Sequence, residues 1–236
     1  MYFYGFDWTY LYLVLPCMIF AMLASAGVNN TFNKYAKQIS RRRLTGAQAA
    51  QRVLDANGVR NVRIERIGGN LTDHFDPKSN VIRLSDNVFD NASTAAIGVA
   101  CHEAGHAVQY AKEYAPIKLR AAIIPITNIG SKLAMPLILL GILLNFLGEI
   151  SYTFLYIGIA CFGLSFVFQL VTLPVEFNAS RRAIRAIDEQ ELLTSEELKG
   201  ARKTLSAAAM TYVAATAVAL AQLLRLILLF GRRRDD

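Results

Sequence analysis

Two histidines and a glutamate form an HExxH motif near the middle of the chain, in the stretch His102-Glu103-Ala104-Gly105-His106. Good helix formers surround the motif, and residues four apart lie on the same face of an α-helix. His102 and His106 can therefore offer two imidazole nitrogens to one metal ion. Glu103 projects about 100° round the helix from His102, so its carboxylate lies beside the ion and can take a proton from a water molecule. This pattern is typical of a zinc hydrolase, with Glu103 as the general base.

A catalytic zinc usually takes three protein ligands, and two residues are candidates for the third. His74 is the remaining histidine, but its surroundings also fit an ordinary turn or a sheet edge. Glu176 begins a polar helix directly after a long apolar stretch, where a carboxylate also suits the positive end of a helix dipole. We favour Glu176, because two histidines and one glutamate form an attested catalytic zinc shell. The prediction is one Zn²⁺ per chain, bound by His102, His106 and Glu176.

The composition indicates a membrane protein. Hydrophobic residues make up 54% of the chain and its mean hydropathy is +0.32, which is high for a soluble domain. The net charge of +7 comes from basic residues that cluster beside apolar runs, and no aromatic-basic recognition motif accompanies them. We therefore expect no nucleic-acid partner. The three cysteines do not form a disulfide framework, and Cys101 is expected to be a packing residue, because it faces away from the two histidines.

Four apolar stretches are long enough to cross a bilayer as helices. They lie at 8–28, twice within 133–174, and at 206–230, and the central two are expected to form a hairpin that turns at 148–151. The alternative for the first stretch is a cleaved signal peptide, because Ala24-Ser25-Ala26 resembles a cleavage site. Against this alternative, the preceding residues include no Lys or Arg and are rich in aromatic residues from Tyr2 to Tyr12.

The expected fold is mainly α-helical, with about four apolar helices and a small α+β domain that contains a short antiparallel sheet. Residues 45–57 and a segment from about 91 to 114 are predicted helices, 59–67 and 81–85 are predicted strands, and 117–131 is expected to be interfacial or loosely helical. The predicted segments are an N-terminal transmembrane helix (1–28), a catalytic segment (29–120), a transmembrane hairpin (121–174), a third-ligand helix with a polar segment (175–205), and a C-terminal transmembrane or interfacial helix (206–236).

The distribution of basic residues predicts which side of the membrane carries the motif. Basic clusters follow the first span and the central hairpin, whereas the amino terminus and the hairpin turn have neither Lys nor Arg. The positive-inside rule therefore places the catalytic segment on the cytoplasmic side. Arg232, Arg233 and Arg234 conflict with the rule if the last helix crosses fully, so a re-entrant or interfacial last helix stays an open alternative.

The chain resembles the YugP-like family of membrane-anchored neutral zinc metallopeptidases and, more distantly, the HtpX-type membrane proteases. The matching stretches are 71–76, 81–85, 99–109 with its HEAGHA core, and 174–183. The resemblance implies a zincin-like domain and a gluzincin site, with His102, His106 and Glu176 as ligands and Glu103 as general base. In the HtpX-type pattern an acidic residue commonly follows four positions after the ligand glutamate, and this chain has Ser180 there. If that acid orients a histidine ligand, another group must do so here.

These features predict an integral membrane protein of a bacterial-type cell membrane that hydrolyses peptide bonds as a zinc-dependent endopeptidase. Its partners would be the lipid bilayer and peptide or membrane-protein substrates, and its oligomeric state stays open. His74, Tyr110 and Arg181 are equal candidates for the oxyanion partner, and the strand 81–85 either pairs with an extended substrate or is an ordinary strand. The alternative function is a non-enzymatic membrane scaffold or adaptor with a structural or vestigial metal site. A transporter is disfavoured, because Glu149 and Arg225 are the only charges in the apolar stretches.

Overall fold

The computed structural model describes residues 7–144, 146 and 148–231. Most of these residues are helical, as predicted. A π-helical turn, Tyr10–Val14, leads directly into the first α-helix. The elements in chain order are α1 (Leu15–Ala36), α2 (Gly46–Ala56), β1 (Arg63–Ile67), β2 (His74–Asp76), β3 (Val81–Ser85), α3 (Asp86–Phe89), α4 (Thr94–Ala111), α5 (Ala115–Leu143), α6 (Glu149–Glu189) and α7 (Ser195–Phe230).

Four helices are long and apolar enough to cross a membrane, which confirms the predicted number of spans. They are Tyr10–Tyr35, Ala115–Leu143, Glu149–Glu189 and Ser195–Phe230, and only a minority of the side chains in their apolar stretches are buried. The predicted hairpin is present, since α5 ends at Leu143 and α6 begins at Glu149. Of the N-terminal aromatic residues, Tyr2 to Phe6 lie outside the described residues, as do Arg232 to Arg234.

Several boundaries differ from the sequence prediction. Glu176 does not begin a separate polar helix, because α6 continues without interruption through this position. Residues 117–131 are not loosely helical, because they form part of the continuous helix α5, which accommodates Pro125 and Pro136. The last helix begins at Ser195 rather than at 206, because Thr194 and Glu197 cap its polar first turn. The charged residues between these positions therefore extend an apolar helix rather than form a separate segment.

The chain forms two compact units. One unit contains the chain up to Leu23, Leu119–Thr172 and the chain from Tyr212. In this unit Ile138, Leu155, Leu226 and Phe230 form a buried cluster that packs parts of α5, α6 and α7 together. Arg225 donates from Nε to Asp7 Oδ2 over 2.7 Å. The cation in the apolar stretch of α7 is therefore neutralised by an acidic partner.

The second unit contains Ala24–Lys118 and Leu173–Thr211. Its core packs α2 and α4 against the sheet, and the largest side chains without exposure include Leu54, Ile82, Leu84, Ile97 and Ile187. Thr45 caps α2 through a reciprocal capping box with Gln48. This unit contains every residue of the predicted metal site.

The sheet is mixed, whereas the sequence favoured a fully antiparallel one. Its strand order is β1-β3-β2, with β3 parallel to β1 and antiparallel to β2. Of the two alternatives for residues 81–85, the ordinary strand is correct and pairing with an extended substrate is wrong, because β3 is the middle strand and both of its edges are already hydrogen-bonded. Its position also explains why Val81, Ile82, Leu84 and Ser85 are all buried.

Candidate metal centre

Helix α4 presents the HExxH motif from within the core of the second unit. Ser93 caps the helix, accepting a hydrogen bond from the Ala96 amide over 3.3 Å. Alanines occupy much of the helix surface, and Ala100, Ala104 and Ala107 are buried. These small side chains let neighbouring elements approach closely, so α4 is held on several sides while His102 and His106 share one face.

Helix α6 supplies the third group and lies against the motif at Gly105. A Cβ atom at Gly105 would lie 2.8 Å from the Ala179 carbonyl oxygen, which is too close for two non-bonded heavy atoms. Only glycine therefore permits this distance between the helices. The close approach brings Glu176, which is buried, to the two histidines.

Three potential ligand atoms converge at this point. Glu176 Oε2 lies 3.2 Å from His102 Nε2 and 3.4 Å from His106 Nε2, and the two Nε2 atoms are 3.1 Å apart. Zinc–ligand bonds of about 2.0–2.1 Å at tetrahedral angles separate neighbouring ligand atoms by about 3.3 Å. The observed triangle fits that spacing. Among the described residues, His102, His106 and Glu176 are the group of three or more His, Cys, Asp or Glu side chains that lie close enough together to hold a metal ion.

Gln109 fixes the orientation of His106. Its side chain is fully buried, and its Nε2 donates to the Val175 carbonyl over 2.8 Å and to Asn178 Oδ1 over 3.0 Å. Its Oε1 is therefore the atom that faces His106 Nδ1, 3.0 Å away, and accepts the Nδ1–H bond. This tautomer leaves the lone pair on His106 Nε2, which points to the other ligand atoms.

Ser180 has the corresponding contact with His102. Its hydroxyl lies 3.1 Å from His102 Nδ1. A hydroxyl accepts the Nδ1–H bond as a carboxylate would, without adding a negative charge. The position where the HtpX-type pattern has an acidic residue therefore still contacts a histidine of the motif.

Glu103 is buried beside the triangle, close enough to His106 for its negative charge to raise the pKa of that imidazole. Burial by itself lowers the pKa of His106, but Glu176, Glu103 and Gln109 together raise it above the usual value. Burial and the charge of Glu103 also raise the pKa of Asp73, against the hydrogen bonds that this carboxylate accepts from the amide and hydroxyl of Ser85.

The other candidates from the sequence lie elsewhere. His74 is exposed on β2, with Nδ1 2.8 Å from the Thr72 carbonyl, and it is not in the ligand cluster. Tyr110 is partly exposed and contacts Phe75 edge-on, with ring centroids 6.1 Å apart. Arg181 is exposed on α6. Cys101 is buried in the core, as predicted, and burial raises the pKa of its thiol.

Sequence reasoning missed the polar residues that support the ligands. Asn178 Oδ1 accepts a hydrogen bond from Gln109 and a second from Arg182 Nε over 2.7 Å. The guanidinium of Arg182 lies over the ring of Tyr114, 6.0 Å from its centroid. Gln109 follows His106 by three positions on the same helix face, and this spacing is the signal that would have identified it.

Comparisons with known proteins identify the family to which the chain belongs. The family described as "Putative neutral zinc metallopeptidase" matches residues 10–231 of the chain. The chain is 42% identical over 227 residues to "Putative membrane protease YugP" of Bacillus subtilis (strain 168), covering 96% of this chain and 99% of that protein. No solved structure matches the chain significantly. With nearly its whole length matched, the chain belongs to the neutral zinc metallopeptidase family of membrane proteins.

Proposed function

We propose that this chain is a membrane-embedded zinc endopeptidase of the gluzincin type. His102, His106 and Glu176 would hold one zinc ion per chain, and Glu103 would be the general base. The observation that carries the proposal is the triangle of ligand atoms with edges of 3.1–3.4 Å beside a buried glutamate. A structural zinc site is normally closed by four protein ligands and has no use for a free carboxylate at its side.

Zinc, when bound, supplies Lewis acidity that lowers the pKa of water and polarises a scissile carbonyl group. Glu103 takes a proton from the attacking water at a carboxylate oxygen and delivers it to the leaving amine. Gln109 and Ser180 hold the two imidazole rings with Nε2 towards the ion, so the ligands need no rearrangement before the reaction.

Replacing Glu103 by Gln tests the general base. The variant keeps the size and a carbonyl oxygen of the side chain but cannot take a proton at neutral pH, so we expect peptide hydrolysis to fall about 10²- to 10⁴-fold. Metal analysis of the purified protein should still find one zinc per chain. Comparative proteomics of membranes should find the same uncleaved substrates accumulating in cells with the Glu103→Gln variant and in cells that lack the protein.

The matched control is Glu196→Gln, the same change at an exposed glutamate of the same unit. This variant should bind as much zinc as the parent protein, and cells that carry it should have the same membrane proteome as cells with the parent protein. Full cleavage by Glu103→Gln would refute the general-base assignment. Absence of stoichiometric zinc from the parent protein would instead favour the scaffold or adaptor function.

The same proposal places the site on the cytoplasmic side of the cell membrane. Basic residues follow the first span at Lys34, Lys37 and 41–43, and the central hairpin at 181–185. The hairpin turn between α5 and α6 has neither Lys nor Arg. Since positive charge is retained on the inner side, the segments that contribute the site would face the cytosol and peptide segments accessible there.

A further inference from the structure

A groove of about 650 Å³ lies between α6 and α7 within the second unit. Its apolar lining includes Phe177, Ile184, Leu205 and Met210, of which Phe177 and Met210 are exposed. The candidate metal centre contributes Ser180 to the wall, but the mechanism proposed above uses neither the apolar lining nor the volume of the groove.

Three arginines, Arg181, Arg185 and Arg202, line the same groove. Arg185 forms an ion pair with Glu189 over 2.8 Å. Arg181 and Arg202 make no hydrogen bond or ion pair with any residue that the structure describes. Asp188 is the acidic residue in the lining, so the groove has a net positive charge. Guanidinium groups without partners beside an apolar surface favour an anionic ligand with an apolar part.

The two exposed apolar residues, Phe177 and Met210, lie at the opposite end of the groove from most of its charge. On α6 the apolar Phe177 comes before Arg181 and Arg185, and on α7 Arg202 comes before Leu205 and Met210. The short connection 190–194 makes these helix segments antiparallel, so both apolar ends lie at one end of the groove and the arginines lie at the other. The apolar end is also where each helix continues into its membrane-spanning stretch.

We propose that this groove binds an anionic phospholipid. The phosphate would lie on Arg181 and Arg202, and the acyl chains would follow Phe177 and Met210 towards the bilayer. Basic pockets between helices at the cytoplasmic surface bind anionic lipid head groups in this way. A substrate polypeptide is less suited to the groove, since helix faces with internally bonded backbones line it and leave no sheet edge to pair with peptide groups.

The test is lipid retention by the full-length protein. The protein is exchanged into nanodiscs of phosphatidylcholine and phosphatidylglycerol in equal parts, released into detergent, and analysed by native mass spectrometry. The test variant replaces Arg181 and Arg202 by Gln. The control replaces Arg52 and Arg60 by Gln, which removes the same charge from exposed positions of the same unit outside the groove.

We expect the parent protein and the control to retain phosphatidylglycerol in preference to phosphatidylcholine. Retention by the test variant should be lower by roughly fivefold for each arginine removed. Glycerol phosphate, which has the anionic group without acyl chains, should not displace the lipid. Circular dichroism and zinc content report whether each variant is folded.

Three results would overturn the proposal. Equal retention of the two lipids by the parent protein would show no selectivity for negative charge. An equal loss in the Arg52 and Arg60 control would indicate general surface attraction instead of a site. If the folded variant without Arg181 and Arg202 retained as much phosphatidylglycerol as the parent protein, the groove would not be the lipid site. Another ligand, such as the substrate, would then occupy it.

Discussion

The hydroxyl of Ser180 and the amide of Gln109 each contact the Nδ1 atom of a candidate zinc ligand. Neither side chain belongs to the group of potential ligands, which is His102, His106 and Glu176. Each contact keeps the Nε2 lone pair on the side where the three ligand atoms meet, and groups in this position typically change metal affinity by 10- to 100-fold. We therefore expect the residues next to the candidate ligands to affect zinc binding strongly.

Replacing Ser180 by Ala should weaken zinc binding by about tenfold, because the His102 ring loses the acceptor at Nδ1. The dissociation constant can be measured by competition with a chromogenic chelator. Ser206→Ala is the matched control, since Ser206 also lines the groove between α6 and α7 but contacts neither histidine. Equal zinc affinity of the two variants would contradict the role given to Ser180.

The sequence was sufficient to select His102, His106 and Glu176, the side chains that the structure brings close enough together to hold a metal ion. A fixed helical spacing brings His102 and His106 together, and that spacing is local information. Asn178 could not be assigned in the same way, because its contact with Gln109 depends on how α4 packs against α6. Gln109 carried a local signal in its spacing from His106, but nothing in the sequence shows that its other contacts lie on α6. The oxyanion partner stays undetermined between the candidates for the same reason.

At the level of elements, the approach of α4 to α6 at Gly105 sets the distance between the motif and Glu176. The two helices are distant in the chain, and the hairpin of α5 and α6 is inserted between their site residues. A backbone contact of this kind adjusts poorly to added volume, because the obstructing Ala179 carbonyl belongs to a helix.

Gly105→Ala should therefore lower the free energy of unfolding by about 1–3 kcal/mol and weaken zinc binding, since an added methyl group forces α6 away. Chemical denaturation in detergent and chelator competition measure the two effects. Gly27→Ala is the control, because a Cβ atom at helical Gly27 meets nothing within 4 Å. A methyl group there should be neutral or stabilising. A Gly105→Ala protein as stable as the Gly27→Ala protein would refute the close approach.

The helices were more predictable than the sheet. Capping residues and apolar periodicity mark α2 and α4 within the chain itself. Strand order depends instead on contacts that the sequence does not encode locally. Turn residues at 77–80 favour the antiparallel pairing of β2 with β3. The pairing of β1 has no such local signal, because β3 lies between β1 and β2 although β2 follows β1 in the chain. The hydrogen bonds of Asp73 to Ser85 hold the connecting loop against the end of β3.

At the level of the whole molecule, the predicted topology depends on the number of candidate spans and the basic residues between them. Lys78 is exposed in the turn between β2 and β3, and Phe146 is exposed between α5 and α6. If the positive-inside rule holds for this chain, Lys78 faces the cytosol and Phe146 faces the outside.

Single cysteines at these positions should react oppositely with a membrane-impermeant maleimide. In a background without Cys17 and Cys161, Phe146→Cys should be labelled in intact cells. Lys78→Cys should be labelled only after permeabilisation. The background protein without either new cysteine controls for Cys101, which is buried. The reverse labelling pattern would place the metal centre outside the cell.

Hydropathy was enough to predict the four membrane helices, because a bilayer requires a minimum apolar length whatever the rest of the fold does. It was not enough to explain Arg225, whose partner Asp7 lies 218 positions earlier in the chain. Hydropathy also could not predict the division into two compact units, because each unit combines segments that are far apart in sequence.

The two imidazoles are oriented by Gln109 and Ser180, that is, by the chain's own atoms. In zinc fingers the opposite holds, and the peptide is unstructured until the ion arrives. Here the metal-free protein should already have its ligand side chains in place. Removal of zinc with a chelator should therefore abolish activity without unfolding the protein. Cobalt or manganese could then be loaded in place of zinc, and the availability of each ion in the cell would contribute to which one is bound.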